Sequence, residues 1–427
     1  MDLTVGRARL GQFFPLAPVW TILALNLLLA QIAAAAGGFV KTRPMSSVRV
    51  GHSATLLADG RVLVAGGVDS HTTDLSSSET IIASAELFNP SNGTWSATGA
   101  LNFGRTYHTA TLLPNGKVLV TGGGGVLTNE NGSLSGTFAG SELYDPASGT
   151  WSMTGRLHAA RLYHTATLMP DGKVLVVGGC KVSGSDPTLP GYYVPSHFEF
   201  FPPQAELYDP ATGQWAVTGA LKIGRVNHTT TLLTNGEVLV AGGGGINPPL
   251  GGIFSSAEIY DSANGKWTPT GSMTTNREDH TATLLRDGRV LVTGGISYKR
   301  VLSSCELFDP ATGKWTLTGA LKTGRMGHTA TLLSDGRVLV AGGLKNRVLD
   351  PAFSAELYDP ATGKWTATGA MKTGRLMQTA TLLPDGRVLI AGGGSYMIGV
   401  ADSTYFFIDV VSLAKAELFD PAIGRAR

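Results

Sequence analysis

Cysteine is almost absent: the chain of 427 residues holds two, Cys180 and Cys305. Neither belongs to a Cys-x-x-Cys or His/Cys spacing, so the sequence offers no zinc site. A disulfide between them stays open, with buried free thiols as the expectation. Charge is scarce as well. Asp, Glu, Lys and Arg make up 15% of the chain, and 33 basic against 31 acidic residues leave a formal net charge of +2. That balance lacks the basic excess of a nucleic-acid binder. Disorder is excluded by an apolar content of 43%, and a coiled coil by the shortage of Glu and Lys relative to Gly and Thr. No GxSxG, HExxH, EF-hand or P-loop pattern occurs, and the glycine run 242–245 is not followed by the Lys-Ser/Thr of a phosphate loop.

No charged residue occurs between Leu10 and Val40, after an opening that carries Arg7 and Arg9. The apolar run 13–36 ends in alanines, with Ala34 and Ala36 spaced as a cleavage signal. Residues 1–36 therefore read as a secretory signal peptide, with an uncleaved membrane anchor as the rival. Either places residues 37–427 outside the cytoplasm, secreted or periplasmic, or anchored and facing outward.

What the chain has in excess is glycine, 57 residues, and much of it is periodic. A Gly-Gly pair closes a Val/Leu-rich run seven times, at Gly66, Gly122, Gly178, Gly242, Gly294, Gly342 and Gly392. Glu-Leu/Ile-Tyr/Phe also recurs seven times, from Glu86 to Glu417, and a Trp follows nine residues after each of the first six. Each unit reads as four short strands. The first resembles residues 108–113, and an Asn-Gly or Asp-Gly pair follows, which predicts a type I′ hairpin turn. The second strand is apolar on both faces, as expected where neighbours sandwich it. Large aromatics in the third and fourth strands are expected to fill the wedge between units.

Gly-Gly, then Tyr or Phe, then Trp seven residues later resembles the kelch repeat. The resemblance covers residues 39 to about 424 and implies an all-β fold, a seven-bladed β-propeller of four-stranded blades. The seventh unit has no Trp before the chain ends. Aligning Met45 with Leu101 puts Phe39 at the Trp95 position, so residues 39–45 are expected to supply the outer strand of the last blade and close the ring.

Each interval from Glu to the next Gly-Gly spans 37 residues, whereas the segments between second and third strands run from 10 to 26. In an up-and-down meander those variable segments share a face with the crossovers between blades, and function concentrates on such loops. The crossovers carry Arg-x-x-His, from Arg49/His52 to Arg325/His328, and Arg375/Gln378 in the seventh. A residue repeated in every blade belongs first to the repeat, so the histidines are expected to bond within their own blades, too widely spaced for one metal ion. The arginines have the recurring glutamates as partners. Some kelch propellers, however, hold acidic peptides with arginines at this crossover.

Two functions follow. The first is an extracytoplasmic binding or scaffolding module for a protein or carbohydrate ligand, acidic or saccharide. It would be held at the channel mouth by Arg105, Arg161, Arg225, Arg277, Arg325, Tyr107 and Tyr163, and by the loop aromatics Tyr192, Tyr193 and Phe406. The second is an enzyme. Arg-Thr-Tyr107-His108 and Arg-Leu-Tyr163-His164 are similar to a copper-ligand segment of galactose oxidase and related copper radical oxidases. That resemblance implies copper at a Tyr-His pair and another tyrosine cross-linked to cysteine, and sugar-directed oxidation as the activity. Against it, Cys180 and Cys305 stand beside the second and third strands, not in a crossover. The C-terminal domain that supplies a further histidine in that family is not expected here. The expectation is a binding module with no catalytic residue, metal or cofactor, copper entering only under the oxidase reading, and a membrane only through an uncleaved N-terminal segment.

Overall fold

A strand–turn–strand unit repeated every fifty or so residues has to bury its two faces against its own copies. The computed structural model describes residues 37–70, 80–129, 132–183, 197–200, 203–245, 252–298, 300–345, 351–402 and 405–423. Over these, seven four-stranded antiparallel sheets stand in a ring, a seven-bladed β-propeller. No helix occurs among the described residues, so none there is long and apolar enough to cross a membrane. The 1–36 segment lies outside them.

Blade 2 shows the pattern: inner strand Thr109–Leu112, second strand Val118–Thr121, third strand Ser141–Asp145 and outer strand Thr150–Thr154. The second strand is buried at every position because a neighbouring blade covers each of its faces. The Asn-Gly and Asp-Gly turns differ from the type I′ expectation. Only the glycine takes positive φ, 84° at Gly60 and 81° at Gly116. In the first blade Gly60 N donates to Leu57 O at 3.0 Å, and Leu57 N donates to Arg61 O at 2.8 Å. This is an ordinary right-handed turn ended by a left-handed glycine, the bulge geometry of longer hairpins. Asp59 Oδ1 accepts the Arg61 N–H at 3.0 Å, so the aspartate serves through its side chain.

The core is divided among the seven interfaces between blades. Between blades 1 and 2, Leu63, Ala85 and Leu87 pack on Val118, Val120 and Tyr144. Tyr144 stacks at 5.0 Å on Trp151 of its own blade, and its hydroxyl is hydrogen-bonded to Thr98 Oγ1 of the preceding one at 2.7 Å. Trp151 Nε1 donates to Gly99 O at 2.7 Å. The same aromatic pair recurs around the ring, each fully buried ring contributing about 2–3 kcal/mol of apolar burial.

In the seventh blade Gly38–Lys41 pairs with Ala416–Asp420, Phe39 facing Phe419 with ring centroids 5.2 Å apart. Phe39 thus takes the seat that a Trp has elsewhere. The start and the end of the propeller share one sheet, and no radial edge is left open.

Thr106 bridges Gly124, Leu162 bridges Cys180 and Leu376 bridges Gly394. Each crossover is therefore tied to the residue that begins the variable segment, which puts both on one face and the Asp-Gly turns on the other. In blade 7 the variable segment is a long hairpin, Gly394–Asp402 with Tyr405–Ser412.

Candidate functional site

The arginines leave the candidate site. All seven crossover arginines have no exposed surface. Arg105 Nη2 donates to Glu142 Oε1 at 2.6 Å, and its Nη1 donates to the carbonyls of Gly122 and Gly140 at 3.0 Å each. Glu142 in turn accepts Asn102 N at 2.7 Å. The same pairing holds Arg161 to Glu206, Arg225 to Glu258, Arg277 to Glu306 and Arg325 to Glu356. A guanidinium without water must find a carboxylate and free carbonyls, and the repeat supplies both. These side chains hold each blade's crossover to its third strand, and none offers charge to the channel mouth.

The histidines bond across blades, not within them as expected. His108 Nε2 is hydrogen-bonded to Ser53 Oγ of the preceding blade at 2.9 Å, and His164 Nε2 to Thr109 Oγ1 at 3.0 Å. His52 reaches Thr379 Oγ1 at 3.1 Å, 327 residues away in sequence, and so links blade 1 to blade 7. In the crossover that lacks histidine, Gln378 Nε2 donates to Ala341 O at 2.8 Å. The Gly-Gly pair makes room for this latch. Gly123 N donates to Arg161 O at 2.9 Å. A Cβ on Gly122 would lie 2.6 Å from that oxygen and 2.6 Å from His164 Cε1. Burial first, then the nearby arginine, pushes the imidazoles of His52, His164, His228 and His328 down to about 3.

With arginine and histidine spoken for, the residue immediately before the histidine is left to border the mouth. It is Gly51, Tyr107, Tyr163, Asn227, Asp279, Gly327 and Met377 in blades 1 to 7, and each has positive φ, from 51° to 66°. Backbone bonds string several of them together: Tyr107 N donates to Gly51 O at 2.9 Å, Gly327 N to Asp279 O at 3.2 Å and Met377 N to Gly327 O at 3.0 Å. The Tyr107 and Tyr163 rings lie 4.6 Å apart, and the Tyr107 hydroxyl reaches Met377 Sδ at 3.9 Å. Tyr107 gets there across blade 1, where Gly51 has no side chain to block it: a Cβ would stand 3.1 Å from the ring. Leu162 and Cys180 pack beneath the tyrosine pair. Both cysteines are free and buried, and burial pushes their thiols up, to about 12 at Cys180 and about 11 at Cys305. Burial, then Tyr107, raises the Tyr163 phenol above its ordinary value, with a contribution from Asp279. Asp279 itself is pushed up to about 7 by burial and then by Glu278.

Of the residues predicted from sequence, Tyr107 and Tyr163 come together at the mouth. Tyr192 and Tyr193 lie outside the described residues, and Phe406 falls in the strand Tyr405–Ser412 with its side chain outside them. Asn227, Asp279 and Met377 were missed. Both positions inside Arg-x-x-His vary among the units, so the sequence alone did not single out the one before His.

A family model described as the KLHDC2/KLHL20/DRC7 Kelch-repeats domain matches residues 200–393. That match covers just under half of the chain and agrees with the Gly-Gly, Tyr/Phe and Trp sets repeated on seven four-stranded blades. The chain is a kelch-repeat β-propeller.

Galactose oxidase from Gibberella zeae is 31% identical to the kelch propeller over 124 residues, 28% of this chain and 18% of that one. Kelch-like protein 15 from Homo sapiens is 26% identical over 200 residues, 43% of this chain and 29% of that one. The propeller thus spans less than a third of the length of either curated relative. A solved structure described as a novel fungal alcohol oxidase with catalytic diversity among the AA5 family, in complex with copper, superposes with a TM-score of 0.65 at 20% identity, over 90% of this chain and 76% of that one. At that identity the likeness is one of fold.

The Tyr-His segments do not fit the copper that the oxidase resemblance implies. A copper ligand needs an imidazole nitrogen pointing into the mouth. His108 and His164 are instead buried between blades, with Nε2 engaged by hydroxyls of the preceding inner strand. Among the described residues no group of three His, Cys, Asp or Glu side chains is placed to hold a metal ion.

Proposed function

We propose that this kelch propeller is a binding or scaffolding module that works outside the cytoplasm and takes a protein or carbohydrate ligand over the crossover face of its channel. The kelch fold itself suggests a binding or scaffold role. One observation supports this placement: seven equivalent positions, fixed by the same backbone conformation, carry five side chains of four kinds and two glycines, Gly51 and Gly327. The neighbouring crossover residues Val50, Thr106, Leu162 and Leu376 are buried and bridge to their own blade's variable segment, whereas these positions keep part of their surface open. Exposed positions that vary on a rigid scaffold are where recognition concentrates. The paired Tyr107 and Tyr163 supply a stacking surface for a sugar ring or an apolar side chain.

The test is a combined array of glycans and peptides probed with the chain and two double variants. Tyr107→Asn/Tyr163→Asn keeps the backbone, since Asn227 holds the same conformation in blade 4. Lys117→Ala/Lys173→Ala alters the opposite face. Ligands lost only in the first variant support the reading, and ligands lost only in the second overturn the choice of face.

A further inference from the structure

The ring at the mouth has one vacant seat. A Cβ built on Gly327 meets nothing within 4 Å, whereas at Gly51, the other glycine of the ring, the seat is filled by Thr106 and Tyr107. The vacancy is bounded along the backbone by Asp279 on one side and Met377 on the other. Met377 continues into Tyr107 and Tyr163, and Asp279 is close enough to Tyr163 to act on its phenol electrostatically. Acid, aromatic pair and thioether therefore border one space.

Asp279 is largely enclosed by protein yet keeps part of its surface exposed. Its carboxyl has no hydrogen-bond or ionic partner among the described residues. Every other deeply enclosed carboxylate of the repeat is matched by a guanidinium. An enclosed, unmatched carboxylate is costly, and adjacent Glu278 adds a second negative group, not a cation. A ligand that brings a positive charge would relieve that cost, and tyrosine faces and a methionine sulfur are favourable walls for an organic cation. The acidic ligand expected from the arginines has no such complement here.

Resting on the reading of the mouth as the ligand site, we propose that the seat beside Gly327 receives an alkylguanidinium or alkylammonium group, the head of an arginine or lysine side chain of a protein partner. Asp279 is its counter-ion, and Tyr107, Tyr163 and Met377 are its apolar walls.

The probe is N-acetylarginine amide, with N-acetylcitrulline amide as its neutral isostere, titrated into the whole chain and followed by tyrosine fluorescence. Saturable binding of the arginine compound is expected, at least tenfold tighter than citrulline. Asp279→Asn should lose at least tenfold. Gly327→Tyr should block the seat, and the fold should accept it because Tyr107 and Tyr163 hold φ of 53° and 55° at the equivalent positions, against 60° at Gly327. Melting temperatures identify variants that fail to fold, and the two substitutions are independent. Spermidine and lysine amide in the same assay separate a free polyamine from a protein side chain, and preference for spermidine would overturn the protein source. Equal binding of arginine and citrulline compounds, or binding that survives both substitutions, would overturn the proposal. If array ligands are lost in the tyrosine double variant but kept in Asp279→Asn and Gly327→Tyr, the mouth reading stands and the cation reading fails. If arginine binds at Asp279 while array ligands ignore the tyrosines, the failure lies with the mouth reading.

Discussion

Acidifying the kelch propeller from pH 7 to pH 5 should remove most of its stability. Six imidazoles are clamped between blades in the neutral form, four of them with values near 3 and His108 and His280 well below their ordinary value. In the unfolded chain the same groups titrate near 6.5. The unfolded state therefore binds protons that the folded state refuses. Stability is complete above about pH 6.5 and falls as pH drops below it. Each histidine costs about 2 kcal/mol between pH 7 and pH 5, so six cost about 11 kcal/mol. Asp279 works the other way. Its carboxyl is raised to about 7 against an ordinary 3.8, so the folded state gains its proton first and recovers about 2 kcal/mol. The net loss, about 9 kcal/mol, compares with a typical total of about 5–15 kcal/mol. Urea melts at pH 7, 6 and 5 should show it, with unfolding near pH 5 taking up about five protons. His164→Gln copies the glutamine that blade 7 already uses at position 378, and it should reduce the uptake by one. A midpoint that does not move between pH 7 and pH 5, or an unchanged uptake in His164→Gln, would refute the reasoning.

Gly122→Ala should destabilise by more than about 3 kcal/mol, since its Cβ would meet backbone at 2.6 Å. Gly116→Ala, with positive φ but nothing within 4 Å, should cost only about 1 kcal/mol, which paired thermal melts will show. Removing residues 37–45 should lower the melting temperature far more than removing 424–427, because the first deletion unpairs Ala416–Asp420; equal melting temperatures would contradict ring closure by that strand. Copper loading should give no hydrogen peroxide from galactose, as neither His108 nor His164 is turned to the mouth. Turnover that disappears in Tyr163→Phe would reverse this.

The propeller was legible in the sequence because its determinants are local and repeated: Gly-Gly, the turn glycine and the Tyr–Trp pair each do one job at one spacing. Ring closure was legible too, since Phe39 stands at the Trp offset. The turn type differs from the expectation because Asp-Gly is ambiguous until the length of the loop is known, and in the Asp59-Gly60 pair the glycine alone takes the left-handed conformation. The site was harder. Repetition drew attention to arginine and histidine, yet a buried Arg105–Glu142 pair at 2.6 Å is what repetition of opposite charges implies. Asp279 and Met377 are single residues without a motif, and only the ring geometry places them beside Tyr163 and Tyr107.

The left-handed position before each histidine has a consequence for how such a mouth can change. Glycine, tyrosine, asparagine, aspartate and methionine all occupy it at nearly the same φ; glycine meets no conformational cost there, asparagine and aspartate a small one, and even tyrosine and methionine only about 1–2 kcal/mol. The backbone bonds from blade to blade use only the amide and carbonyl of these residues, so the frame does not register which letter is written. Seven sockets of one backbone conformation, read together at one opening, allow a new specificity to be spelled by single substitutions while latch, wedge and ion pair stay untouched.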